Sequence, residues 1–379
     1  MFESFEDFVS WVSGCGTIID LIIYLIPFLL TWKIVLKGRF MSKENIIVAY
    51  SCVFLFFVFS FWGGDWFHYY YYITDETYAH YVEHLEDFYL ILADRVNNDY
   101  LLWRCVIWGS SLLLIIITTW RLKLNTSRFL AFFTAVALMP LSVGRVTLSM
   151  AVAFLGYSYI IKPMANLKLI SYVVAGVLVI CSPYFHKSGV MFIALVPLSF
   201  VKLKKKTILT LFLSIPLVII FLKVIGIYSL FGDFFGNDIS EKLSDYSSSG
   251  MELAQGPVEA VIDLIFYSYV LLTLYIIIKG VNVKEYDTWS KSARFWGNIV
   301  FWIFLLAFIL VFVDASSTTI FIRMVQMNSI PIAIFLCSVS VKSKLYPTVQ
   351  KDYKLFVFYT LLKLNKWWIV PLLSVIYHS

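Results

Sequence analysis

Apolar runs close to the roughly 20 residues that cross a bilayer's hydrocarbon core recur along the whole chain, separated by shorter polar connections. The pattern predicts an all-α, polytopic integral membrane protein of about eleven transmembrane helices. They fall near 17–36, 46–62, 101–120, 129–144, 146–161, 168–183, 188–201, 207–226, 259–279, 295–313 and 323–341. The stretch 355–377 is a candidate twelfth, interrupted by Lys363, Lys366 and Pro371. Residues 1–379 therefore read as one transmembrane domain with two long connections, at 63–100 and 227–258. Within the first, Glu76 to Asp94 has the spacing of an amphipathic helix lying on the membrane surface.

Composition agrees: 60% of residues are hydrophobic, 18% aromatic and 14% charged, against about 25% charged in soluble domains. The basic residues alternate between connections. Lys33, Lys37, Arg39 and Lys43 fall in one set, with Arg121, Lys123 and Arg128; Lys162 and Lys168; Lys202 and Lys204 to Lys206; Lys279 to Arg294; and Lys342 to Lys354. By the positive-inside trend this set faces the cytoplasm. The acidic start, MFESFEDF, lacks the basic residues of a cleavable signal and places the N-terminus outside. The net charge of +6 thus reports orientation, and no nucleic-acid partner is expected. Cys15, Cys52, Cys105, Cys181 and Cys337 form neither a disulfide framework nor a metal-finger spacing, and no GxxxxGK phosphate loop occurs.

The outer connections are acidic, so the basic residues among them stand out: Arg95, Arg104, Arg145, Lys187, Lys223, Lys242 and Arg323. An anionic group on that side is the explanation they share. Arg145 lies between two apolar runs with no charge near it, after a segment holding Pro140 and Gly144. A helix that short leaves the arginine below the outer surface, facing a cavity, unless it tilts and the side chain snorkels to the headgroups. In SPYFHKSG, Pro183 is expected to end the sixth span, setting His186 and Lys187 just outside it. Asp65 follows two glycines and precedes Trp66; it suits either a turn cap or a substrate contact. The aromatic residues and acids of the first outer connection, Trp66 and Glu86 among them, fit a membrane-interface belt or the faces and hydroxyls of sugars. His80 and His84 share a helical face but lack the HExxH order of a zinc site, and no DxD motif appears, so neither metal nor cofactor is expected.

Four landmarks in order resemble the EpsG/Wzy-type polysaccharide polymerases: GGDW, EDFY, GRVTLSMA and FHKSG, with a looser echo in FIRMVQMNSIP. Val146 departs from the family pattern, where glutamine often follows the arginine. The resemblance implies a GT-C-like fold with an outer-face cavity, and a metal-independent, inverting glycosyltransferase in a bacterial inner (plasma) membrane, active on the periplasmic or extracellular side. It implies undecaprenyl-diphosphate-linked oligosaccharide repeat units as substrate, with a flippase and a chain-length regulator as companions. The expected roles are His186, Arg145, Arg323 and Asp65 in catalysis, with Arg95, Arg104, Lys187, Trp66 and Glu86 binding substrate. A lipid-linked oligosaccharide flippase and an O-antigen ligase are the alternative readings.

Overall fold

The computed structural model describes residues 41–59, 86–137, 144–225, 271–313 and 326–364, with residues 25–27, 29–31, 34, 69–70, 73–74 and 324. Among them no strand occurs. The helices are α1 (Lys43–Phe59), α2 (Asp87–Arg95), α3 (Tyr100–Arg121), α4 (Thr126–Val136), α5 (Gly144–Ile161), α6 (Lys168–Phe185), α7 (Gly189–Ser199) and α8 (Lys205–Ile225). There follow α9 (Leu271–Asn282), α10 (Lys291–Val313), α11 (Ser329–Ser338) and α12 (Tyr346–Leu364). Among the described residues four helices are long and apolar enough to cross a membrane: Tyr100–Arg121, Lys168–Phe185, Lys205–Leu222 and Lys291–Ile309. Shorter apolar helices overlap five of the other expected spans, those at 129–144, 146–161, 188–201, 259–279 and 323–341. At 11 residues, α4 reaches only about 16 Å of the roughly 30 Å hydrocarbon core. The expected span at 17–36 and the second long connection lie largely outside the described residues.

The chain forms two compact units, one drawn from Met1–Val196, Leu336–Ser338 and Thr360–Ser379, the other from Pro197–Phe335 and Val339–Tyr359. In the first, α5 packs on both α3 and α6. Small residues make the second contact close. A Cβ added at Gly156 would stand 2.8 Å from Val179 Cγ2 and 3.0 Å from the Ala175 carbonyl, so glycine here sets the α5–α6 separation. At one end of α3 and α5 sit the basic residues Arg121 and Lys162, joined by a bond from Arg121 Nη2 to the Lys162 carbonyl (3.1 Å). Tyr89, Trp103 and Arg145 gather at the other. The two helices therefore run in the same direction, as the charge alternation expects.

Pro183 does not end α6, which continues to Phe185. The proline removes the amide that would serve the Val179 carbonyl, and the Ser182 hydroxyl, 2.8 Å away, takes its place. Of the amphipathic helix expected from Glu76 to Asp94, positions 76–85 lie outside the described residues; the described part is α2, preceded by an extended Glu86 (φ −68°, ψ 141°). That helix is packed inward: Tyr89 and Ala93, one turn apart, are buried with Trp103, Ile107, Leu148 and Val152.

In the second unit a 3₁₀ turn at Glu285–Thr288 organises the basic connections. Glu285 accepts the Ser343 hydroxyl and the Lys344 amide (2.9 Å). The Tyr286 hydroxyl donates to Asn298 Oδ1 (2.8 Å) and accepts from the Leu203 amide (3.4 Å). Asp287 pairs with Lys202 (2.7 Å). Asn298 closes the network by donating to the Ser199 and Val201 carbonyls (2.7 and 2.9 Å), which satisfies the end of α7.

Candidate functional site

Arg145 occupies the first turn of α5, where the positive end of the helix dipole opposes a cation. Its position therefore requires compensation, and the fold supplies it from two places in the first long connection. Nη1 meets Glu86 Oε2 at 2.7 Å, while Nε and Nη2 converge on the Tyr69 hydroxyl at 3.0 and 2.7 Å. The guanidinium lies 4.7 Å from the Tyr69 ring centroid and 5.9 Å from that of Tyr89. The Tyr89 hydroxyl donates to the Arg145 carbonyl (3.2 Å), and Trp103 Nε1 holds the Tyr89 carbonyl (3.2 Å). Burial, followed by the nearby Glu86 charge, keeps the Tyr89 phenol well above its usual pKa, so it stays a neutral donor. With side-chain exposures of 14% for Arg145 and 11% for Glu86, the arginine turns into the protein rather than out to the headgroups.

Glu86 has a second task. Its Oε1 accepts the Lys187 amide (3.4 Å), tying the α6–α7 turn to the same ion pair. That turn is tight: the Gly189 amide bonds the His186 carbonyl (2.7 Å), and Ser149 of α5 donates to the Ser182 carbonyl (2.8 Å). His186 Nδ1 receives the Ser188 amide (3.2 Å) and lies 2.6 Å from the Ser188 hydroxyl. Three segments thus meet around one ion pair.

The other expected site residues are dispersed. Arg104 is buried and donates through Nη2 to the Phe57 carbonyl (2.6 Å) in the last turn of α1, beside the stacked Phe57 and Trp108 rings. Arg95 is exposed in the last turn of α2, a position the helix dipole favours. Asp65, Trp66 and Arg323 lie outside the described residues. Tyr69, Tyr89, Ser149 and Ser188 escape a reading by residue type. The one signal for Tyr69 and Tyr89 is their place beside acids in the aromatic-rich first long connection. Among the described residues no group of three or more His, Cys, Asp or Glu side chains is placed to hold a metal ion.

Apolar helices in series and a largely buried cation at a helix end define a multi-pass membrane protein with a polar site at one end of its helices. The EpsG family model matches residues 45–377, nearly the whole chain, and the protein belongs to the EpsG family. Polysaccharide biosynthesis, with polysaccharide polymerisation as its general activity, comes with that membership. Nothing among curated proteins or solved structures matches the chain.

Proposed function

We propose that the protein is a glycosyltransferase of GT-C-like architecture that polymerises undecaprenyl-diphosphate-linked oligosaccharide repeat units on the outer face of a bacterial inner membrane. The growing glycan leaves its carrier and joins the non-reducing-end sugar of a newly delivered unit. A C1–O bond to the acceptor forms, the C1–O bond to the diphosphate breaks, and undecaprenyl diphosphate departs. One displacement inverts the anomeric centre.

The observation that carries this reading is Arg145, a cation held in a tyrosine-lined, largely desolvated place with an anion already against it. Charge develops on the departing diphosphate oxygen, and a planar guanidinium meets phosphate oxygens two at a time. Glu86 supplies the counter-charge in the resting arrangement, so an arriving diphosphate exchanges with it rather than entering an uncompensated site. Arg323 assists at the same charge, and Arg95 and Lys187 hold the approaching anion. Aromatic and acidic groups such as Trp66 face the sugars.

His186 and Asp65 compete for the role of general base. With Nδ1 taken up by the Ser188 amide, the neutral His186 ring carries its proton on Nε2 and offers a donor there. That supports Asp65 as the group taking the acceptor proton, with His186 donating to a diphosphate oxygen.

Purified full-length protein supplied with synthetic lipid-linked repeat units is expected to make a ladder of longer glycans and release undecaprenyl diphosphate, with EDTA leaving the rate unchanged. A new lipid conjugate instead of a ladder indicates a ligase, and absence of any chemistry a transporter. Loss of activity with EDTA that magnesium restores would replace metal independence with a divalent-ion site. Orientation has its own check. In intact spheroplasts Ser247→Cys is expected to react with an impermeant thiol reagent while Lys205→Cys is protected; the reverse pattern moves every outer-site residue to the cytoplasm.

A further inference from the structure

From Tyr100 to Gly232 the chain contains no aspartate or glutamate, yet α3 and α5 bring three cations together at the end opposite Arg145. Arg121 is fixed there: Nε donates to the Ser158 hydroxyl (3.1 Å), Nη2 to the Lys162 carbonyl (3.1 Å), and its guanidinium carbon lies 3.4 Å from the Tyr159 ring centroid. Lys123 follows on a left-handed residue (φ 55°) whose turn is closed by bonds from its own amide to Trp120 and from Leu124 to Thr119. Holding a side chain other than glycine in that conformation is unfavourable, and it brings the exposed Lys123 ammonium toward Lys162.

The carboxyl-terminal dipoles of α3 and α5 account for Arg121, which serves a carbonyl. They do not account for two ammonium groups placed side by side. Desolvation first, then the charges of Lys123 and Arg121, hold Lys162 below its usual pKa. Among the described residues the ion pairs are Arg145–Glu86 and Lys202–Asp287, and neither is here. Trp120, the chain neighbour of Arg121, is 78% exposed, and Leu169, in the first turn of the helix that follows Lys162, 76%. An indole and an aliphatic side chain left bare next to a basic helix end mark the level where headgroups give way to acyl chains.

We propose that the ends of α3 and α5 form a binding site for the headgroup of an anionic phospholipid. The phosphate sits between Lys123 and Lys162 with Arg121 as the fixed wall, and the acyl chains run along Trp120 and Leu169. The combination of a basic pocket between helix ends and an apolar flank recognises a lipid rather than a free anion, which would leave the flank unused. This site is independent of the outer one and of the reaction proposed for it.

The test uses purified full-length protein in detergent, titrated with short-chain phosphatidylglycerol and read by native mass spectrometry, with short-chain phosphatidylcholine and inorganic phosphate as comparisons. Lys123→Gln with Lys162→Gln is expected to weaken phosphatidylglycerol binding about tenfold or more, from the loss of two near-surface cations. Lys204→Gln with Lys206→Gln makes the same change in net charge on another basic connection and is expected to leave that binding unchanged. Equal losses in both double variants, or none in either, overturn the site in favour of diffuse attraction. Displacement of the lipid by an equal concentration of inorganic phosphate overturns the lipid assignment. Lys123→Gln alone, at an exposed side chain, is expected to give a partial loss with an unchanged unfolding midpoint; binding equal to that of the parent protein would remove Lys123 from the site.

Discussion

Arg145→Ala is expected to reduce chain growth by about a hundredfold to a thousandfold, the usual cost of deleting one preorganised group that stabilises developing negative charge. Only contacts stronger in the transition state than in the ground state set the chemical step, so the loss belongs in kcat. Alanine also strands Glu86, which keeps its Lys187 amide but loses a charge partner 2.7 Å away. For that reason the measurement pairs glycan ladders with the yield and unfolding midpoint of the purified variant. Arg145→Lys separates charge from geometry. A lysine has one nitrogen where the arginine uses three, to reach Glu86 and Tyr69 together, so it is expected to recover only a small part of the activity. Near-full activity in both variants would reduce Arg145 to a tether between α5 and the outer segments, and leave catalysis to His186 and Arg323.

Gly189→Ala is expected to destroy the α6–α7 turn. A Cβ there would lie 2.5 Å from both the Pro183 nitrogen and the Ser182 carbonyl carbon, and 2.7 Å from the Ser182 oxygen. These are backbone atoms, with no rotamer to turn aside, and Ser182 is itself held by Ser149. Overpacking of this kind costs about 3 kcal/mol or more, and it falls on the turn that carries His186 and the Lys187 amide. Yield, unfolding temperature and polymerisation should all fall together. Gly176→Ala is the control: nothing lies within 4 Å of its Cβ, and the better helix propensity of alanine is worth up to about 1 kcal/mol. A normally folding and active Gly189→Ala would show that the α6–α7 turn is wider than described.

The helices of this protein are legible because hydrocarbon tolerates few charges, and a run such as 168–183 has no other reading. Their ends are less so. Pro183 is a sound reason to stop α6, and only the neighbouring serine hydroxyl, whose target is a carbonyl one turn back, overrides it. Arg145 announces itself as a solitary charge between apolar runs, but its partners do not. Glu86 is one of many acids in the first long connection, and Tyr69 one of four tyrosines in a row; which of them meets the arginine is decided by how α2 packs on α3 and α5. Arg104 shows the opposite case. By position it belongs with the outer cations, yet it is spent on a carbonyl at the end of α1, because a buried helix terminus needs a donor as much as a substrate does.

The consecutive residues Glu285, Tyr286 and Asp287 reach two different connections of the second unit, Glu285 the one at Ser343 and Lys344, Tyr286 and Asp287 the one at Lys202 and Leu203. The amides of Leu203 and Lys344, remote from each other in the chain, therefore depend on one short turn for their protection from solvent. Hydrogen exchange at the two should be correlated, opening and closing as a single event, so this end of the unit behaves as one cooperative body despite being assembled from separate loops.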